Sequence, residues 1–265
     1  MSAVLGMRRH APLFRNMVRR EVRQRYKGSA LGLVWTLISP AIAVAVYSLV
    51  FKFLLRLDIP HYAVFLLTGL ATWTFFMGGA QQAAFSLVAN ANLVKKVRFP
   101  REIIPLSSMA GNAVTAGAMF LVALPLCLAF TAGSRLTVFA LPGMLILLAG
   151  LTAGFGLLVS ALNVYFRDVE HILAAINLPW YFLTPIMYSF ATLPALADGS
   201  HAWVVNLLHY GNPVSPFVIA IQDCLFWGQW PAWQDVVYSL VASVVVLASG
   251  LTVFRRLERE MAVEL

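Results

Sequence analysis

Charge is scarce in this sequence: 11% of its 265 residues are Asp, Glu, Lys or Arg, against 60% hydrophobic residues. So little polar surface cannot cover so large an apolar content in water, which excludes a soluble globular protein and makes the bilayer the solvent. Cysteine is nearly missing, and Cys127 and Cys224 offer neither a metal-ligand spacing nor an expected bridge. None of the four lysines follows a glycine, so there is no P-loop, and nucleotide chemistry is expected to belong to another subunit. Nucleophile elbows, HExxH and paired aspartates within apolar runs are also lacking, which argues against an intramembrane enzyme. The histidines, His10, His61, His171, His201 and His209, fall near span ends or in loops. Buried carboxylates of the kind that proton- or ion-coupled carriers need are missing from the apolar runs. The first thirty residues hold no continuous apolar stretch, so a cleavable signal peptide is not expected.

The charge that is present is sorted. Sixteen of the nineteen Lys and Arg residues form clusters that alternate with long apolar stretches. Eight precede the first stretch, four (Lys95, Lys96, Arg98, Arg101) lie between the second and third, Arg167 follows the fourth, and Arg255, Arg256 and Arg259 follow the last. Basic residues are retained in the cytoplasm during insertion, so an even number of spans and two cytoplasmic termini are expected. The net charge of +8 then reflects topology and anionic headgroups rather than nucleic acid.

Six spans are expected in one domain: about Leu31–Leu55, Tyr62–Ala89, Ile103–Phe130, Phe139–Val164, Ile172–Phe190 and Val236–Phe254. Pro179 and Pro185 predict a kinked or broken fifth helix. From Ala191 to Trp233 the sequence has no Lys or Arg but many aromatic rings, which predicts short helices dipping into the outer leaflet. The fold class is therefore all-α, with residues 1–30 as a cytoplasmic surface helix, 31–254 as a six-span bundle and 255–265 as a cytoplasmic tail.

Before the first span, Phe14, Val18, Val22 and Tyr26 recur every fourth residue beside Arg15, Arg19, Arg23 and Lys27, the pattern of an amphipathic helix at a membrane surface. Glu21 and Arg25 interrupt its apolar arc, spaced and ordered for an ion pair; they are read as a surface pair or as a polar contact for a protein partner. In the link from Asn90 to Pro105, Leu93, Val94, Val97 and Phe99 alternate with Lys95, Lys96 and Arg98. That predicts a short amphipathic helix that a soluble partner can grip, or a simple topological anchor. A second link gathers Arg167, Asp168 and Glu170, where Asp168 is expected to cap the fifth span.

The spans are rich in rings. Trp35, Tyr47, Phe51, Trp73, Phe76, Trp180, Tyr181 and Tyr188 are candidates for an aromatic slide for sugars or acyl chains, or for packing and interfacial belts. Gly150 and Gly154 allow close helix contact within or between protomers.

Several segments together resemble the permease subunit of ABC-2 type exporters of cell-surface polysaccharides. They are RREVRQRYKGSALGLVWTLISP (Arg19–Pro40), LVKKVRFPREIIPLS (Leu93–Ser107), LNVYFRDVEHIL (Leu162–Leu173), PIMYS (Pro185–Ser189) and NPVSPFVIAIQD (Asn212–Asp223). The resemblance implies a homodimer in the bacterial inner membrane bound to two copies of a cytoplasmic ABC ATPase, which carries the ATP and Mg. It likens the helix around Arg15–Lys27 to the family's interface helix, and Asn92–Arg101 and Tyr165–Glu170 to its two coupling helices. Leu193–Trp233 would be its outer re-entrant helices, and rings of spans one, two and five would line a path for a lipid-linked polysaccharide. Gln222, beside Asp223, departs from the basic residue often found in relatives. A permease for a small lipid or drug, and a non-transporting scaffold, are the alternatives.

Overall fold

The computed structural model describes residues 10–27, 34–97, 99–130, 133–190, 202–258 and 260–264. Regular structure among them is helical, as a bilayer demands, because backbone N–H and C=O groups there must be satisfied within each segment. The elements are α1 (Ala11–Tyr26), α2 (Trp35–Leu54), α3 (Tyr62–Ala89), α4 (Ala91–Lys96), α5 (Ile103–Phe130) and α6 (Arg135–Tyr165). They continue with α7 (Asp168–Leu183), α8 (Ala202–Tyr210), α9 (Ser215–Trp227), α10 (Trp233–Leu257) and the short α11 (Met261–Glu264). Five of these, α2, α3, α5, α6 and α10, are long and apolar enough to cross a membrane. The chain is a multi-pass membrane protein.

The second and third expected spans are realised to the residue as α3 and α5. Residues 31–33 lie outside the described residues, and α2 begins at Trp35. The fourth span starts earlier than expected, because a 3₁₀ turn over Arg135–Ala140 is capped by Ser134, whose hydroxyl accepts from the Leu136 amide. Span five needs correction: α7 runs from Asp168 to Leu183, not from Ile172 to Phe190. It stops at Thr184, which is extended (φ −94°, ψ 136°), since a residue before proline is pushed out of the helical region. Pro179 is accommodated inside the helix. Sixteen helical residues span only about 24 Å. The turns beyond it reach the start of α3, for the Met187 carbonyl accepts from the Tyr62 hydroxyl at 2.8 Å.

Two ends of the bundle are thereby defined. The basic end gathers α1, α4, the α6–α7 corner and the last turns of α10; the far end carries the turn before α6 and the start of α10. Helices α8 and α9 meet at 94°. Phe226 packs beside Phe65 near the far end of α3, and the Ser134 amide donates to Gly228 at 3.0 Å. The pair therefore dips from the far end and returns to it, as the apolar Ala191–Trp233 segment implied; residues 191–201 lie outside the described residues.

One core cluster joins α3, α5, α6 and α9 through Phe65, Phe76, Met119, Leu148 and Phe217. A second, at the basic end, gathers Met17, Leu87, Val94, Ile104, Leu157, Phe254 and Met261. The glycine pair of α6 acts within the chain: a side chain at Gly154 would strike the backbone of Val246 and Leu247 in α10, and one at Gly250 would strike Gly154 itself. Ser243 adds a 2.6 Å hydrogen bond to the Leu147 carbonyl. Both cysteines are buried and free.

Candidate coupling face and translocation surface

Helix α1 packs along the first half of α5. Its Met17 enters the basic-end core, while Arg20 donates to Asn90 Oδ1 at 2.6 Å, at the end of α3. One turn later Glu21 lies over Gly111, where a Cβ would come within 3.0 Å of its own. Arg25 then reaches Asn112 Oδ1 at 3.3 Å and Thr115 Oγ1 at 3.0 Å. The expected Glu21–Arg25 ion pair does not form, because Glu21 pairs with Arg20 at 3.3 Å and Arg25 turns to α5. Both side chains face the chain's own bundle rather than an open partner surface.

Helices α3 and α5 have 28 residues each and α2 has 20. A hydrocarbon core takes about 20 residues, so α3 and α5 overshoot by roughly 12 Å. Trp35 stands at the start of the described part of α2 and lines the same cavity as Arg25 and Thr115.

The first link is helical only over Ala91–Lys96, shorter than the expected Asn92–Arg101, because Val97 is extended and Pro100 cannot continue a helix. Val94 is buried against the basic-end core and Phe99 packs on it, leaving Lys95 and Lys96 exposed. Arg98 lies outside the described residues. Arg101 does not face outward: its amide donates to Glu258 Oε1 at 3.2 Å and its guanidinium to the Glu258 carbonyl. Beside it, Arg255 Nε meets Glu102 Oε1 at 2.8 Å. Tyr165 donates to the Leu257 carbonyl at 2.9 Å. The tail is thus clasped to both links.

The second link contains no separate helix. Tyr165 ends α6, Phe166 and Arg167 form the corner, and Asp168 starts α7. Asp168 makes no capping bond. The cap comes instead from buried Asn163, whose Oδ1 accepts from the Glu170 amide at 3.2 Å while its Nδ2 donates to the Ala84 carbonyl at 3.0 Å. Arg167 and Asp168 are exposed and Glu170 half-exposed. Phe166, which the sequence reading passed over, is 65% exposed at the tip of this corner. Its signal was one aromatic residue between a helix end and a charged pair.

The candidate rings are brought together, though not all onto a surface. Trp73 contacts Trp180 and Tyr181, Phe76 contacts Trp180, and Tyr47 contacts Phe51 and Tyr181. Trp73, Phe76 and Tyr181 are buried in the protomer's own core, so they pack helices and present no face to a passing chain. Tyr47, Phe51, Trp180 and Tyr188 are partly open, and Trp35 is exposed. Phe53 and Phe182 are exposed on α2 and α7. Those two helices are poorly covered: α2 has no buried residue, and α7 has only Leu173 and Tyr181.

Sequence reasoning also missed Asn212. Buried at the bend between α8 and α9, its Oδ1 accepts from Trp180 Nε1 at 2.9 Å and from the Val214 amide at 3.1 Å. Its Nδ2 donates to Thr184 Oγ1 at 2.9 Å. One side chain thus pins the re-entrant bend to the end of α7. Gln222, one helix further, donates to the Ile186 carbonyl at 3.4 Å. Across the far end His209 Nε2 lies 2.7 Å from Asp235 Oδ1, which ties α8 to α10.

The chain is 29% identical over 248 residues to the O-antigen export system permease protein RfbA of Klebsiella pneumoniae, covering 92% of this chain and 91% of that protein. It is 28% identical over 251 residues to the protein of the same name from Myxococcus xanthus, covering 93% of each. The polysialic acid transport protein KpsM of Escherichia coli is 21% identical over 249 residues, 91% of this chain and 92% of that protein. A family model described as ABC-2 type transporter matches residues 12–226, most of the chain, and the protein belongs to that family.

Proposed function

We propose that this chain is the membrane-spanning subunit of an ATP-driven exporter of a lipid-linked polysaccharide, with ATP hydrolysis supplied by a separate cytoplasmic ATPase. The relatives named for O-antigen and polysialic acid export support the cargo. The observation that carries the mechanism is the basic end: Lys95, Lys96, Phe166 and Arg167 are exposed on links whose neighbours are locked into the bundle. An ATPase gripping those links would move α3, α6 and α7 as rigid bodies. Glu21, Arg25 and Arg101 belong to the stiff framework behind this face, and Asp168, Glu170 and Phe99 complete it; Arg98, outside the described residues, is assigned to it from the sequence alone.

The basic end faces the cytoplasm, so both termini lie there. Two copies meet along the uncovered faces of α2 and α7, with Trp35, Tyr47, Phe51, Trp180 and Tyr188 along the path. Rings with apolar bodies and polar tips let successive sugars slide without a tight site. Motion of α7 reaches the re-entrant pair through Asn212, which opens the far end. The test is to purify the chain with its ATPase and measure hydrolysis with lipid-linked glycan, lipid alone and drug-like amphiphiles. Stimulation by the glycan alone is expected; stimulation by the other compounds and not by glycan would overturn the cargo.

A further inference from the structure

A cavity of about 580 Å³ opens between α1, α2, α3 and α5, lined by Arg25, Trp35, Thr36, Ser39, Thr74 and Thr115 among others. Among the described residues, Arg25 is its one charged lining residue. The acceptors that hold the guanidinium, Asn112 Oδ1 and Thr115 Oγ1, are neutral, and no described carboxylate is paired with it. Asn112 is itself fixed, since its Nδ2 donates to the Thr74 carbonyl at 2.8 Å, where α3 enters a π turn. The cation is therefore held in place by neutral partners, beside the start of α2.

Thr36 also lines a second groove, of about 660 Å³, whose walls include Leu37, Phe75, Val114, Gly117 and Leu121. No charged residue among the described residues lines this groove. An open, largely apolar cavity with one arginine and a few hydroxyls, meeting an apolar groove at Thr36, complements an amphiphile with an anionic head. A guanidinium recognises phosphate oxygens by charge-assisted, often bidentate hydrogen bonds, and Trp35 adds an interfacial ring.

We propose that the Arg25 cavity binds the phosphate of a membrane lipid whose tail lies in the adjoining groove. The inference stands apart from the identity of the exported cargo. Two lipids offer this chemistry: an anionic phospholipid of the leaflet and the phosphate-bearing lipid that carries a glycan.

Binding to the purified full-length chain in neutral detergent is measured by native mass spectrometry and titration. The probes are dioleoyl phosphatidic acid, dioleoylglycerol with the same tails and no phosphate, and a long-chain polyprenyl diphosphate. Wild type is expected to bind phosphatidic acid about tenfold or more tightly than dioleoylglycerol, the scale of one charged hydrogen-bonded contact. Arg25→Gln should erase that preference and Arg25→Lys keep part of it, while Gly117→Leu should weaken both lipids alike. If Arg25→Gln does not fold, Ser39→Phe, which fills the cavity and leaves the cation, should weaken phosphatidic acid selectively. A polyprenyl diphosphate that outcompetes phosphatidic acid assigns the site to a carrier lipid, and equal binding assigns it to leaflet lipid; either supports a phosphate site. Equal binding of phosphatidic acid and dioleoylglycerol to wild type, or an unchanged preference in both Arg25→Gln and Ser39→Phe, overturns it.

Discussion

Single amides do much of the positioning in this protein. Asn163 caps α7, Asn112 fixes Arg25, and Asn212 holds the re-entrant bend to α7. In an apolar interior a stranded donor costs roughly 1–3 kcal/mol. Asn212→Ala leaves Trp180 Nε1 and the Val214 amide without the acceptor described for them, so it should lower the melting temperature of the purified protein. Trp180→Phe, which removes one of these donors, should lower it less. Glycine sets a second constraint. Gly154→Leu must push α10 off α6, because Val246 and Leu247 backbone occupies the space a side chain needs. It is expected to abolish folded protein in detergent, as judged by size-exclusion profile, whereas Gly143→Ala, with nothing within 4 Å, should behave as wild type.

At the scale of elements, the two links differ in what they expose. Helix α4 presents Lys95 and Lys96, and the α6–α7 corner presents Phe166 and Arg167. Lys95→Glu with Lys96→Glu should weaken ATPase association in a salt-dependent way, since exposed charges are screened. Phe166→Ala should weaken it at all salt concentrations, because an apolar contact is lost; pull-down at low and high salt separates the two. The tail clasp is a distinct element. Glu102→Arg alone sets like charges together at Arg255, and the double variant Glu102→Arg with Arg255→Glu should recover the stability lost. An exposed pair contributes up to about 1 kcal/mol, so the expected loss and recovery are of that size.

Much of this layout was legible in the sequence. The limits of α3 and α5 follow from unbroken apolar runs bounded by Pro60, Pro100 and charge, and the surface helix follows from its four-residue repeat. The end of α7 was misplaced because hydropathy continues through Pro185 to Phe190, while backbone geometry stops the helix at Thr184. Asp168 was read as a cap from its position in the chain, yet Asn163, distant in sequence from nothing but hidden inside α6, faces the free amide. Trp73, Phe76 and Tyr181 looked like lining rings because helical spacing shows which residues share a face, whereas tertiary packing decides what that face meets. Arg101 was assigned to the first coupling helix, and its partner Glu258, at the other end of the chain, could not be read from local pattern.

For the whole molecule, the account is that of a conduit without its own source of energy, moved at one end and opened at the other. In the proposed function, the uncovered α2 and α7 faces would meet a second copy, and the Asn212 link would carry motion of α7 to the far end. A disulfide that locks α8 to α10 at positions 209 and 235, in place of His209 and Asp235, should halt export while ATP hydrolysis persists. The most direct measurement is glycan uptake into inverted vesicles that contain the chain alone, the ATPase alone, or both, with ATP hydrolysis followed in parallel. The account predicts uptake only with both proteins and ATP, and its loss when Lys95 and Lys96 are reversed to Glu; hydrolysis or ATP-driven uptake by the chain alone would contradict it.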